Sequence, residues 1–427
     1  MERLVLGLLL GWFGFGSAKA ESPTLLSQRL QALVVAACET SLDRDPQTLS
    51  FAFGPVVSVR DRGSVSAGLR RELHLKGAGN ESATVMITAI GGVIRRVRGE
   101  LHDVVAVRGS QPILLIDAGP DCAVLHGREI DYDENGQALS LRHFDRNLKF
   151  DGLQEPLNPP VPDGPDPGGV AVAHIDSGVN YLLPFLAARL ARSADGGLLG
   201  WDYWDEDDRP FDLDTGRSPF FPIRHGTTVA SVLLREAPES RLFAYRYPRP
   251  DLARLAPLID HAAGHGVKIV LMPLGSRTAE HWQAFVEAAT SQSDMLFIVS
   301  AGNDGRDIDV EPLYPASFEL DNMIVVTSSD AFGRLAEGSN WGASSVDLMV
   351  PGEKVAVIDH RGAAGFASGS SFAVPRVAAL AARLAAENPD WTAKELKAAI
   401  RKRAGPSFER GAQKVRWGWI PNPADDG

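Results

Sequence analysis

Cysteine is nearly absent from this chain. Cys38 and Cys122 are the two in 427 residues, and neither stands at a metal-ligand spacing. Two readings stay open for them, a single disulfide or a pair of buried thiols. In an exported chain a disulfide would close a long loop, worth about 4 to 5 kcal/mol in the chain-entropy description. Basic residues are also in deficit: Lys and Arg number 43 against 54 Asp and Glu, a formal charge of −11. No basic stripe stands out to neutralise phosphates, which argues against nucleic acid as a partner and gives no footing on an anionic membrane surface. Long apolar runs are missing after residue 20. A bilayer-spanning helix needs about 20 such residues, and the alanine-rich run from Ala378 to Ala386 is broken by Arg383.

The first twenty residues are of another kind. Arg3 precedes an apolar run from Leu4 to Gly16, and Ala18-Lys19-Ala20 forms a small-x-small site. This pattern suits a secretory signal peptide over residues 1–20, removed after Ala20, with the protein exported to the periplasm or the medium. An uncleaved N-terminal anchor is the alternative. Once the signal is removed, no stable membrane insertion is expected.

A proline- and glycine-rich stretch from Pro156 to Gly169 divides the chain. Proline fixes φ and lacks an N–H, so such a stretch favours extended, solvated backbone; it reads as a linker over residues 151–169. Before it, Ser27 to Cys38 has helical apolar spacing and the rest is strand-like. Ile130-Asp131-Tyr132-Asp133 and Ala138-Leu139-Ser140-Leu141-Arg142 flank Asn135-Gly136, a hairpin signal. Residues 21–150 are therefore expected to form a small α+β or mainly β domain. After the linker the pattern becomes strand, helix, strand: Val170 to Ile175, helix Leu255 to Ala263, strand Val267 to Met272, helix 281–291, strand 295–300 and strand Met323 to Thr327. Alternation of this kind predicts an α/β fold, a parallel sheet flanked by helices, with a site at the carboxyl ends of its strands.

Residues fit for chemistry gather at those ends. Asp176 closes a strand before Ser177-Gly178. His225 opens His225-Gly226-Thr227-Thr228-Val229-Ala230-Ser231, a glycine-hinged entry to a helix. Ser371 lies in Gly369-Ser370-Ser371-Phe372-Ala373-Val374-Pro375, at the start of a helix with small and apolar faces, with Pro375 expected in its first turn. A serine hydroxyl needs a base to take its proton and a carboxylate to orient that base. Taken singly, these are a turn aspartate, a helix-start histidine and a helix-cap serine. Taken together in that order, they suit a hydrolytic triad.

These segments, with Leu296-Phe297-Ile298-Val299-Ser300-Ala301-Gly302-Asn303-Asp304-Gly305, resemble those of the subtilisin-like serine proteases. The resemblance covers residues 168–422. It implies a catalytic domain over 170–422, a short tail over 423–427, and endopeptidase activity on protein or peptide substrates through an acyl-enzyme. Asp176, His225 and Ser371 would be the triad and Asn303 the oxyanion-hole donor. Met272-Pro273-Leu274-Gly275 resembles the family's substrate-binding edge, so Pro273, Leu274 and Gly275 are the expected substrate contacts, although Pro273 has no N–H to give to an extended peptide. Thr228 replaces a histidine common in the family, and Ser370 a threonine. The chemistry requires no cofactor. The alternative is a catalytically silent member of the fold acting as a binding or regulatory module. A lipase-like α/β-hydrolase is disfavoured by the order of the triad and by the missing Gly-x-Ser-x-Gly turn.

Three features remain. The acidic loop with Asp202, Asp205, Glu206, Asp207, Asp208, Asp212 and Asp214 reads as solvated, with a structural calcium ion as the other reading, since related proteases often bind one. His261 and His265 stand four apart, but no carboxylate motif accompanies them and no metal is expected there. Residues 21–150 occupy the place of the N-terminal pro-domain common in the family, with an inhibitory contact to the protein's own active site. A retained accessory domain would look the same.

Overall fold

The computed structural model describes residues 24–105, 109–408 and 413–425. The expected signal peptide therefore lies outside the described residues. The chain divides into two compact units between Pro156 and Leu157.

The first unit is one helix on one sheet. Helix α1 (Leu25–Glu39) starts at Thr24, whose hydroxyl accepts the Ser27 N–H, and buries Leu30, Leu33, Val34 and Ala37, the i, i+3, i+4, i+7 stripe of an amphipathic helix. The sheet is a nine-stranded antiparallel meander running from Ser50 to Pro156, each strand paired with the next in sequence. Its strands Gly68–Lys76 and Ser82–Ile90 turn Leu69, Leu73, Leu75, Ala83, Val85, Ile87 and Ala89 inward, as the period of two requires. The helix approaches so closely that a Cβ on Gly99 would lie 2.4 Å from the Val34 side chain. Asn135-Gly136 turns Val124–Tyr132 into Ala138–Phe144 as the pattern predicts, with Gly136 at φ 73°. Of the two readings of the cysteines, the structure has the disulfide, Cys38 to Cys122 across a separation of 84 residues.

The proline-rich stretch departs from the solvated linker expected over 151–169. Phe150–Pro156 is the last strand of the meander. From Leu157 the chain is held on the second unit: Leu157 and Asn158 are buried, Tyr181 donates its hydroxyl to the Pro159 carbonyl at 2.6 Å, and Arg192 donates to the Pro162 carbonyl at 2.5 Å. Proline removes a donor but keeps its acceptor. Extended backbone presents those acceptors in a row, and these side chains take them up.

The second unit holds an eight-stranded sheet of β1 (Ala171–Asp176), β2 (Trp201–Asp202), β3 (Arg241–Arg246), β4 (Ile269–Met272), β5 (Leu296–Ser300), β6 (Met323–Ser329), β7 (Leu348–Pro351) and β8 (Gly418–Trp419). The order across the sheet is β2-β3-β1-β4-β5-β6-β7-β8, and every pairing is parallel. Each residue of β1, β4, β5 and β6 is buried, because a parallel sheet is covered on both faces. One face packs Val172, Leu271, Ile298 and Val326 against α2 (Gly226–Glu236), α5 (Ser370–Glu387) and α6 (Ala393–Arg403). The other packs Ile175, Val270, Phe297 and Val325 against α3 (Leu255–Gly264) and α4 (Gln283–Ser291). The expected α/β architecture is present, and the carboxyl ends of β1 and β5 open toward the starts of α2 and α5.

Candidate active site

Two close approaches join the end of β1 to the start of α2. Gly178 has φ 91°, and a Cβ there would lie 2.5 Å from the carbonyl oxygens of Pro210 and Phe211. A Cβ on Gly226 would lie 2.0 Å from the Gly178 carbonyl oxygen and 3.1 Å from Asp176 Cβ. Glycine at both positions lets the strand end and the helix start meet. His225, at the N-cap of α2, then donates through Nδ1 to Asp176, at 2.8 Å from each carboxylate oxygen.

Burial alone would raise the Asp176 carboxyl, but His225 and His174 beside it hold it below the usual carboxylate range. Burial would lower His225 in turn. The Asp176 carboxylate outweighs it, and the imidazole is raised above its ordinary value. With Nδ1–H committed to Asp176, Nε2 is left as the acceptor, the tautomer a general base needs. The Phe372 ring, next to Ser371, stands 6.1 Å from the imidazole. No hydrogen bond joins Ser371 to His225 among the described residues.

Asp212 secures the join from behind. It is fully buried and accepts from the Ser177 hydroxyl at 2.6 Å, the His225 N–H at 3.1 Å and the Thr227 N–H at 3.0 Å. Burial opposes its ionisation, but His360, Ser177 and Thr227 outweigh burial and hold its carboxyl low. A carboxylate at a helix N-terminus also meets the positive end of the helix dipole.

Ser371 is the second residue of α5, where backbone N–H groups have no intrahelical partner. Pro375 lies in the second turn of this helix, not in the first as expected, and so offers no N–H to the Ser371 carbonyl four residues back. Asn303 follows β5 on an exposed loop. Its Oδ1 accepts the Ser370 N–H at 2.8 Å and the Ser370 hydroxyl at 3.0 Å, which fixes the amide so that Nδ2 is its free end. Gly369, at φ 133°, allows this approach, since a Cβ would stand 3.0 Å from Asn303 Oδ1. Asn340 holds the rest of the loop: its amide donates to the Ala301 carbonyl at 2.8 Å, and its Oδ1 accepts the N–H groups of Asp304 and Arg306. Two N–H donors, on Ser371 and on Asn303 Nδ2, thus have no partner among the described residues.

Beyond β4, Pro273 is buried and Gly275 exposed. The following Ser276 is anchored by reciprocal backbone bonds of 2.8 Å with Tyr314. The backbone groups of Leu274 and Gly275 enter none of the described hydrogen bonds, so this edge can receive an extended peptide.

The acidic loop is not a uniformly solvated one. Asp202 and Asp205 pair with the buried Arg246 at 2.7 and 2.5 Å, Asp207 accepts from Asn158 at 2.9 Å, and Asp212 is spent as above. His265 donates through Nδ1 to the His261 carbonyl at 2.8 Å, while His261 Nδ1 meets the Tyr245 hydroxyl at 2.8 Å. Among the described residues no three His, Cys, Asp or Glu side chains converge on a metal position. Nor is any described helix long and apolar enough to cross a membrane.

Of the residues singled out in the sequence, the structure pairs Asp176 with His225 and brings Asn303 against the start of α5, next to Ser371. Sequence reasoning missed Asp212 and Asn340 as supports, and it did not foresee the part Ser370 plays under Asn303. Asn340 carries no local signal in Gly338-Ser339-Asn340-Trp341-Gly342 beyond that of a turn.

Comparison with known proteins bears on the family and the fold. Residues 168–419 match the subtilase family, and the chain belongs to that family. A thermophilic serine proteinase of Bacillus sp. (strain AK1) is 31% identical over 237 residues, covering 51% of this chain and 53% of that protein. The chain thus spans about half the length of this relative. Thermitase of Thermoactinomyces vulgaris is 27% identical over 288 residues, 64% of this chain and 92% of its own. Among solved structures, a cold-adapted subtilisin-like serine proteinase superposes with a TM-score of 0.50 at 24% identity, over 63% of this chain and 94% of its own. That likeness bears on the fold.

Proposed function

We propose that this protein is an exported serine endopeptidase that hydrolyses peptide bonds through Asp176, His225 and Ser371. In this reading His225 Nε2 takes the Ser371 proton as Oγ attacks the scissile carbonyl, and Asp176 steadies the imidazolium. The Asn303 amide and the Ser371 N–H take the oxyanion. His225 then returns the proton to the leaving amine, and water releases the acyl group by the reverse steps. Pro273, Leu274 and Gly275 receive the substrate backbone. No cofactor enters these steps. The observation that carries the reading is the pairing of His225 Nδ1 with both Asp176 oxygens at 2.8 Å, in a family of serine peptidases. Export rests on residues 1–20. Residues 21–150 act in this reading as an inhibitory pro-domain.

The test is a serine-reactive phosphonate probe with a peptide library. Wild type should label at Ser371 and cleave peptides. Ser371→Ala should stay folded, take no label, and lose about six orders of magnitude in kcat, the loss typical of the family. Labelling of that variant at another serine would overturn the assignment.

A further inference from the structure

His174 lies within β1, wholly out of solvent, two residues before Asp176. That spacing in a strand sends both side chains to one face. Across the sheet its neighbours are Ala244 on β3 and Leu271 on β4, both buried and apolar. Neither ring nitrogen has a hydrogen-bond partner among the described residues. A valine here would continue the apolar strand pattern with no buried imidazole to desolvate. Packing alone therefore gives no reason for histidine.

The reason lies two residues on. His174 Nε2 stands 3.5 Å from Asp176 Oδ2. The two oxygens of that carboxylate are unequally held: Oδ1 accepts the Ser177 N–H at 2.7 Å and faces the Ser177 hydroxyl at 3.3 Å, whereas among the described residues Oδ2 has only His174 besides His225. Since His225 Nδ1 is equidistant from both oxygens, it does not itself choose a carboxylate rotation. Ser177 restrains one end of the carboxylate, and an N–H on His174 Nε2 would face the other.

We propose that His174 is a positioning residue that sets the rotation of the Asp176 carboxylate against His225; this rests on the triad reading above. At 3.5 Å the contact is longer than a normal hydrogen bond. Contacts of this kind tighten when the charge they serve develops, here the imidazolium of His225.

The experiment compares His174→Val and His174→Gln in the full chain on a peptide that wild type cleaves, with Ser371→Ala as the blank. His174→Val should lower kcat about 10-fold with KM within about twofold, while its melting temperature holds or rises because a buried polar group has gone. Glutamine offers an N–H of similar reach and should return kcat to within about threefold of wild type. The low-field proton signal of His225 Nδ1–H should shift in the valine variant and return in the glutamine variant. Should valine not fold, His174→Asn, whose amide stops short of Asp176, should show the same 10-fold loss. Wild-type kcat in the valine or asparagine variant, or kcat and melting temperature falling together in the valine and glutamine variants, overturns the positioning role alone. Absence of Ser371-dependent cleavage in wild type overturns it together with the triad reading.

Discussion

Ser370 gives both its backbone N–H and its hydroxyl to a single atom, Asn303 Oδ1, at 2.8 and 3.0 Å. The same hydroxyl meets Ser300 Oγ at 2.7 Å at the end of β5. The residue before the proposed nucleophile therefore orients the proposed oxyanion donor, and the strand beneath orients that residue in turn.

Asn303→Leu should lower kcat by about 100- to 1,000-fold with little change in KM, since the amide matters only as charge develops on the carbonyl oxygen. Ser370→Ala keeps the backbone bond and loses the hydroxyl, so a smaller loss of about 3- to 10-fold is expected. Steady-state kinetics on one peptide substrate checks both. A loss in Ser370→Ala as large as in Asn303→Leu would mean that Ser370 does more than orient the amide.

Asp212→Ala should be a stability variant before it is an activity variant. It leaves the buried Thr227 N–H unpaired and leaves the Ser177 hydroxyl and the His225 N–H only longer contacts, to Asp176 Oδ1 at 3.3 Å and to Ser177 Oγ at 3.2 Å, a cost of about 1 to 3 kcal/mol. Every tryptophan beyond Trp12 lies in the second unit, so urea unfolding followed by tryptophan fluorescence reports on that unit. An unshifted midpoint would show that water replaces the carboxylate at little cost.

These two variants mark the limit of what could be read from sequence. Asp176, His225, Asn303 and Ser371 stood out as candidates because each sits in a contiguous motif whose neighbours, Gly178, Gly226, Gly302 and Gly369, mark a backbone under close approach. Asp212 did not, because in sequence it is one acid among seven. Only the fold separates it, fully buried, from the exposed Asp208 a few residues earlier. Strand β3 was missed for a related reason: Arg241 and Arg246 bracket Leu-Phe-Ala-Tyr and make the run look like a surface segment. Arg246 is 2% exposed, neutralised by Asp202 and Asp205 and covered by the Trp204 ring at 4.5 Å. The proline-rich stretch was read for the donors it lacks, and its carbonyl acceptors decided where it went.

The disulfide should matter to the first unit. It ties the C-terminal end of α1 to the turn that follows the strand Gly109–Ala118. Replacing Cys38 and Cys122 by serine should lower that unit's stability by about 4 to 5 kcal/mol, the loop-closure value for a separation of 84 residues. Far-UV circular dichroism of isolated residues 21–156 against urea measures it, and an unchanged midpoint would show that the denatured unit gains no freedom on losing the bond.

Activity and stability should run in opposite directions with pH across the titration of His225. Its value is raised in the fold, so its contribution to stability is complete below about pH 6.5, the ordinary histidine value, and is lost as pH rises through the folded value. Asp176 is depressed; its contribution is present above about pH 3.9 and is lost only as pH falls toward its lower folded value. The pair is therefore most stabilising between these limits, with the imidazole protonated and unable to act as base. The acid limb of kcat/KM should have its midpoint above about 6.5. Melting temperatures of Ser371→Ala across that range should fall as pH rises, with His225→Ala losing this dependence. A limb centred below 6.5 would contradict the raised imidazole.

If residues 21–150 are an inhibitory pro-domain, the chain must be cut where backbone is accessible and where cutting leaves the second unit whole. Residues from Leu157 onward fail the second condition, since Leu157 and Asn158 are buried and the Pro159 and Pro162 carbonyls are hydrogen-bonded. The last meander strand, Phe150–Pro156, meets both: it pairs with one neighbour only, and Asp151, Gly152, Leu153 and Gln154 are exposed. Wild type should therefore mature to a fragment beginning between about Asp151 and Leu157, read by N-terminal sequencing, while Ser371→Ala stays full length. Added residues 21–150 should inhibit the mature fragment. Full activity of an uncut chain, with no inhibition by the added domain, would make the first unit a retained accessory domain.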